Sequence, residues 1–122
     1  MIKTFQQFLG EQLDQPAVSR FADNIESTYG IEFQMYLSFG ALELSKIIVP
    51  KDNRKGGVGS EVMELAIDFA DKHQMRLELT PDSSFGGNVA RLKKWYKEFD
   101  FVENKGRNKN NAISRAMYRN PQ

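Results

Sequence analysis

The segment Arg54-Lys55-Gly56-Gly57-Val58-Gly59-Ser60 constrains the fold of this chain more than any other. It follows an apolar run that closes on Ile47-Ile48-Val49-Pro50 and precedes the best helical pattern of the chain, residues 57–73. Glycines in such a link permit backbone angles closed to other residues and leave no Cβ between the main chain and an approaching ligand. A helix that starts there offers free N–H groups and the positive end of its dipole, an arrangement suited to phosphate. Arg54 and Lys55 add positive charge. Two other phosphate loops fail on spacing: there is no Gly-x-x-x-x-Gly-Lys-Ser/Thr, and a dinucleotide fingerprint needs glycine or alanine where Val62 stands. Taken alone, the segment also fits a plain glycine-rich β-to-α connection.

The pattern around it predicts alternating elements. Phe5, Phe8, Leu9 and Leu13 share a helical stripe over 3–13, and Pro16 punctuates. A second helix over 17–28 carries Val18, Phe21, Ala22 and Ile25 and stops at Gly30. Residues 31–39 and 42–49 read as antiparallel strands joined at Gly40-Ala41. The helix over 57–73 carries Val58, Val62, Leu65, Ala66 and Phe69 on its apolar stripe, with acids off it. Residues 75–80 form a strand with Leu77 and Leu79 inward, and 82–87 a loop. A helix over 89–99 has Leu92, Trp95, Tyr96 and Phe99 on one side, and short strands follow near 100–104 and 112–118. The expected class is α/β with a mixed sheet, organised round a central βαβ unit over 42–80.

Composition removes several chemistries. The 122 residues suffice for one domain with one core. With no cysteine there is no disulfide, thiolate nucleophile or zinc-thiolate site, and with His73 as the single histidine a multi-histidine metal site is ruled out. His73 reads as a helix C-terminal residue; no nucleophile elbow accompanies it. No apolar run approaches the ~20 residues that span a bilayer. The net charge of +1 conceals an asymmetry: residues 89–122 hold nine Lys/Arg against three acids, whereas 1–88 hold eight against thirteen. That basic third suits an anionic ligand or partner, though charge alone does not separate this from a solvated surface.

The order of these signals resembles the GNAT superfamily of acyl-CoA N-acyltransferases. Arg54-x-x-Gly57-x-Gly59 is similar to that family's Arg/Gln-x-x-Gly-x-Gly/Ala motif. Arg76-Leu77-Glu78-Leu79-Thr80-Pro81 resembles its next strand, and Trp95-Tyr96-Lys97-Glu98-Phe99-Asp100-Phe101 its Tyr-x-x-x-Gly-Phe segment, with Asp100 in place of glycine. The resemblance covers roughly residues 31–118 and is closest to a compact bacteriophage subgroup, which shares patterns like Leu-Thr-Pro, Phe-Gly-Gly and Asn104-Lys105-Gly106-Arg107-Asn108-Lys109.

The resemblance implies a GNAT-like fold with splayed central parallel strands and acetyl-CoA, the acyl donor, in the gap; no metal is called for. It implies that Ile48 and Val49 pair with the pantetheine, that Arg54, Lys55, Gly56, Gly57, Val58, Gly59 and Ser60 hold the pyrophosphate, and that Asn88 lies beside the cofactor or serves only as a helix N-cap. Tyr96 matches the tyrosine that assists the leaving thiolate, and a neutral amine attacks the thioester once a base or water chain takes its proton. Glu43 is the leading candidate base, with Glu32, Glu78 and Asp82 behind it; Ser83 and Ser84 line the acceptor side.

Met1-Ile2-Lys3-Thr4-Phe5-Gln6-Gln7-Phe8-Leu9-Gly10-Glu11 resembles a second pattern, the capsid-targeting peptide that opens internal proteins of large myoviruses. The alternative is an ordinary amphipathic first helix. The expected organisation is thus a propeptide over 1–11 and one acetyltransferase domain over 12–122, monomeric or homodimeric. Its partners would be an amine acceptor (a host protein or small molecule) and a phage capsid or scaffold, and its location the host cytoplasm or the virion. Two other readings stand beside it: a non-catalytic domain of the same fold that sequesters a host factor, and, less favoured, a nucleic-acid-associated domain using the basic third.

Overall fold

A computed structural model describes residues 13–49, 57–82 and 88–122. The peptide 1–11, with most of the helix expected over 3–13, lies outside the described residues, as do Arg54, Lys55, Gly56, Ser83 and Ser84. Helix α1 (Gln15–Tyr29) leads into β1 (Glu32–Ser38) and β2 (Ala41–Ile48); α2 (Val58–Lys72) and β3 (Arg76–Leu79) follow, then α3 (Val89–Lys97), β4 (Val102–Glu103), a 3-10 turn (Gly106–Asn108) and β5 (Met117–Arg119).

Asp14 starts α1 by accepting a hydrogen bond from the Ala17 N–H at 3.0 Å. Pro16 therefore belongs to the first turn, where its missing N–H costs nothing, and does not precede the helix. Gly30, at φ 65°, closes α1 in the left-handed conformation. The turn between β1 and β2 falls at Phe39-Gly40, one residue earlier than the sequence suggests; both residues have positive φ, as a two-residue type I′ hairpin requires. The side chains of Glu26 and Gln15 accept from the N–H groups of Phe33 and Leu37 on the outer edge of β1, at 3.1 and 2.7 Å. Helix α1 thus occupies donors that an open sheet edge would leave exposed.

The sheet is mixed, in the order β1-β2-β3-β5-β4. The β2–β3 pair is parallel and its neighbours are antiparallel, so β2-α2-β3 is the expected βαβ unit. The parallel ladder joins Ala41 to Arg76, Leu42 to Leu77 and Glu43 to Glu78. Among the described residues the two strands pair no further, although β2 continues to Ile48. The C-terminal half of β2 is therefore bonded on its β1 side only.

Leu42, Leu44, Leu77 and Leu79 meet Val18, Ile25, Phe33 and Met35 in the core, with Val62, Met63 and Ala66 of α2. Phe21 of α1 stacks on Phe69 of α2 at 4.2 Å, which brings these two helices together. The inward face of α2 is rotated from the expected stripe: Met63 and Ala70 are buried, and Leu65 is exposed. The C-terminal strands are shorter than expected because the polar segment between them forms its own turns.

Candidate functional site

A cleft of about 370 Å³ opens between the C-terminal end of β2, the first turn of α2 and one side of α3. Ile47 and Val49 supply the strand wall; Gly57, Gly59 and Ser60 supply the helix start; Arg91, Leu92, Trp95 and Tyr96 supply the α3 wall. Three sequence facts produce this shape.

First, β2 carries a bulge. Gln34 pairs with Lys46 but the next residue, Met35, pairs with Leu44, leaving Ser45 as the extra residue. Strict alternation would turn Leu42, Leu44 and Lys46 to one side. The bulge resets the phase, so Ile47 is buried together with Leu42 and Leu44. This is why Ile47 lines the cleft and Ile48, the residue expected there, does not.

Second, α2 begins on a glycine with no side-chain cap among the described residues. Gly57 sits at its N-cap with φ 75°, a conformation that costs a side-chain-bearing residue free energy. The neighbouring helices differ: Asp14 caps α1, and the Asn88 carboxamide accepts from the Arg91 N–H at 2.7 Å to cap α3. The first intrahelical bond of α2 runs from Glu61 N–H to Gly57 C=O at 3.0 Å. The N–H groups of Val58, Gly59 and Ser60 precede it and have no intrahelical acceptor.

Third, Gly59 leaves room. Its backbone is ordinary for a helix, so conformation is not what it contributes. A Cβ built there would lie 3.6 Å from the Trp95 ring and 3.7 Å from Val49 Cγ2. Any longer side chain would grow into the cleft.

Tyr96 is buried at 1% exposure, yet it is among the residues that line the cleft. Trp95 and Phe101 pack round it at centroid distances of 5.2 and 5.7 Å. Desolvation pushes its phenol up to about 12, so it stays protonated through the physiological range. A phenol near 12 can donate a hydrogen bond to a leaving thiolate. Complete proton transfer to a thiolate of ordinary basicity, near 8.5, would run uphill by about 5 kcal/mol.

The residues expected to act together are partly separated. Gly57, Gly59, Ser60, Val49 and Tyr96 converge on the cleft. Glu43 does not line it: its carboxylate takes two hydrogen bonds from Arg115, Nε at 2.7 Å and a terminal nitrogen at 2.6 Å. Of the weaker base candidates, Glu78 is bound by Arg76 at 2.6 Å and Glu32 pairs with Lys46 at 3.2 Å. Asn88 serves as the α3 cap and is not among the residues lining the cleft. Leu92 and Trp95 were visible as apolar positions of α3, but nothing in the sequence said which space they bordered; Arg91 carried no signal beyond its charge.

His73 closes α2 through its backbone N–H, and its ring lies 4.8 Å from that of Phe69. Among the described residues no three His, Asp or Glu side chains are grouped to hold a metal ion. No described helix is long and apolar enough to cross a membrane. Comparison with family models, curated proteins and solved structures found no match for the chain.

Proposed function

We propose that the chain is an acyl-CoA-dependent N-acyltransferase that passes an acetyl group from acetyl-CoA to an amine. One observation carries the reading: a single cleft has on one wall a glycine-led helix start with no side-chain cap among the described residues, and on another a buried, protonated tyrosine. Phosphate oxygens of the donor suit the N–H groups of Val58, Gly59 and Ser60, which have no intrahelical acceptor. Ile47, Val49, Leu92 and Trp95 suit the apolar part of a pantetheine arm. The half of β2 beyond Glu43, which lacks a β3 partner, offers backbone groups for the arm's amides. Tyr96 donates a hydrogen bond to the departing sulfur, and the attacking amine loses its proton to water.

Titration calorimetry with acetyl-CoA, followed by thiol release in the presence of amine acceptors, tests this. The expected result is saturable binding that free acetate does not reproduce, and amine-dependent release of CoA. No heat and no thermal shift at millimolar acetyl-CoA would sink the reading. Binding without turnover on any amine would favour the non-catalytic domain that sequesters a host factor. As a separate part of the proposal, residues 1–11 direct the protein into a phage particle and are cleaved after Glu11. Mass spectrometry of particles would overturn that part by finding the protein absent, or present with residues 1–11 intact.

A further inference from the structure

The basic C-terminal third has a geometry that the cleft does not use. Glu103 of β4 collects three lysines: Lys93 at 3.2 Å and Lys97 at 3.1 Å from α3, and Lys105 at 3.6 Å from the segment after β4. The lysines hold its carboxyl down at about 2, so one permanent negative charge faces three positive ones. Lys97, Lys105 and Asn108 also rim a shared depression of about 220 Å³. Helix α3 and the segment 104–116 therefore present one continuous surface.

That segment is held from within. The Asn104 side chain donates to the carbonyls of Ile113 and Arg115, at 2.8 and 3.1 Å, and accepts from the Asn110 N–H at 2.7 Å. The Tyr118 hydroxyl donates to the Asn108 carbonyl, and the Asn110 side chain accepts from the Ala112 N–H at 2.9 Å. Ordering a loop this long costs conformational entropy, which these internal hydrogen bonds offset. On the outside, Lys105, Arg107 and Lys109 are exposed, and among the described residues neither Arg107 nor Lys109 has a carboxylate partner. Of the other acids in this third of the chain, Glu98 closes α3 through its backbone N–H with its side chain exposed, and Asp100 takes a hydrogen bond from Gln122. Five cations, Lys93, Lys97, Lys105, Arg107 and Lys109, are set on a fixed frame, and three of them share the one carboxylate of Glu103.

We infer that this face binds the phosphodiester backbone of a double-stranded nucleic acid. Pre-positioned cations in excess of their counterions gain affinity by releasing the ions condensed on a polyanion. Among the described residues the exposed large apolar ones, Tyr36, Phe39, Leu65 and Val89, are not on the loop or among these cations. Base stacking, on which single-strand binders rely, is therefore not offered, and the match is to a duplex contacted through its backbone. The inference is independent of the acyl-CoA reading, and either can fail alone.

The test is fluorescence anisotropy of the full chain with labelled mixed-sequence DNA and RNA duplexes of about 20 base pairs. The expected affinity falls with salt between about 50 and 200 mM, with a log–log slope of about −4.5 on duplex DNA if all five cations meet phosphates. Arg107→Glu with Lys109→Glu should weaken binding by about tenfold or more. Lys72→Glu, an exposed charge reversal on α2, should leave it within about twofold. The neutral pair Arg107→Gln with Lys109→Gln, checked by thermal melting, guards against loss of fold and should weaken binding by an intermediate amount. Absence of binding at about 50 mM salt would overturn the inference, and so would equal losses in Lys72→Glu and the loop variants. Displacement of the duplex by polyglutamate as effective as by unlabelled duplex would also overturn it, assigning the face to an acidic polypeptide.

Discussion

Tyr96 and Arg119 are both nearly inaccessible to solvent, at 1% and 5%, and both are polar, but burial acts on them in opposite ways. Tyr96 meets its environment through its ring, and desolvation holds its proton. Under the acyltransferase reading, Tyr96→Phe keeps the packing and removes one donor. Stability should then change by no more than about 1 kcal/mol, while acetyl transfer falls about tenfold to a hundredfold with acetyl-CoA affinity unchanged. A phenol near 12 is protonated from pH 6 to 10, so the wild-type rate should show no break in that range from this group. Steady-state kinetics against pH checks both; undiminished turnover in the variant would remove Tyr96 from the reaction. Arg119 instead keeps its charge by being paired. Its guanidinium binds the Asp71 carboxylate at 2.8 and 3.3 Å and the Phe99 carbonyl at 3.0 Å. Arg119, opposed by desolvation of the carboxyl, holds Asp71 below its ordinary value. A depressed carboxyl stabilises the fold at any pH above the ordinary Asp range near ~4, and that contribution disappears as pH drops through the lower folded value. Asp71→Asn should cost about 2–3 kcal/mol at pH 7, since it strands a buried guanidinium. The gap between variant and wild type should narrow in acid, as followed by urea unfolding from pH 7 to 3. Neither pairing was legible in the sequence, because Asp71 and Arg119 lie on elements distant in the chain and read singly as an exposed helix acid and a terminal basic residue.

At the level of elements, sequence periodicity identified the helices and the long strands and placed the inward residues of α1 and β3, but missed the phase of α2. Alternation alone does not give the inward set of β2, because the bulge at Ser45 needs a partner strand to exist and leaves no mark on β2 alone. Leu65 was expected inward because it continues an apolar stripe; the small Ala66 and Ala70 permit closer approach on the adjacent face, which is the one that docks. The glycine turn was legible as a special connection, and the structure divides its labour. Gly57 supplies a left-handed backbone, and Gly59 supplies space. Their substitutions should therefore diverge. Gly57→Ala should destabilise by about 1 kcal/mol through strain at positive φ. Gly59→Ala should be neutral or stabilising by up to about 1 kcal/mol, since alanine favours the helix and its methyl finds ordinary contact distances. Its acetyl-CoA affinity should nevertheless fall, and Gly59→Leu should abolish binding while the protein still melts cooperatively. Differential scanning fluorimetry with and without acetyl-CoA reads both quantities; unimpaired binding by Gly59→Leu would remove the cleft as the donor site. Asp100 belongs at this scale too. It stands where the GNAT pattern has glycine and adopts φ 71°, so the backbone demand that favours glycine there is met by one of the few other residues that tolerate it.

For the molecule as a whole, the decisive feature is how little joins β1-β2 to β3-β5-β4 within the sheet. The mixed sheet and its βαβ unit were legible in the order of the elements. The three-residue parallel ladder was not, because strand patterns do not say where two strands part. Just at that parting, Glu43 is clamped by Arg115 across a separation of 72 residues in the chain. The same glutamate was the leading candidate for the base, so two roles compete for one carboxylate. A base must release a free carboxylate toward the amine, whereas a clamp must hold Arg115 and hence the segment entering β5. Glu43→Gln and Arg115→Met separate them. If Glu43 is the clamp, each single variant should lose about 1 kcal/mol of stability, and the double variant little more, giving a coupling of about 1 kcal/mol in a double-mutant cycle. Acetyl transfer should then drop equally in both single variants with an unshifted pH profile. If Glu43 is the base, Glu43→Gln alone should abolish the acidic limb of the rate profile, and Arg115→Met, which frees the carboxylate, should keep or raise activity. The bidentate pairing at 2.6 and 2.7 Å favours the clamp, and the expected outcome is equal loss in the two variants. Under the acyltransferase reading, proton removal would then fall to water in the cleft, and Glu43 would contribute to activity only by holding the two halves of the sheet together through Arg115.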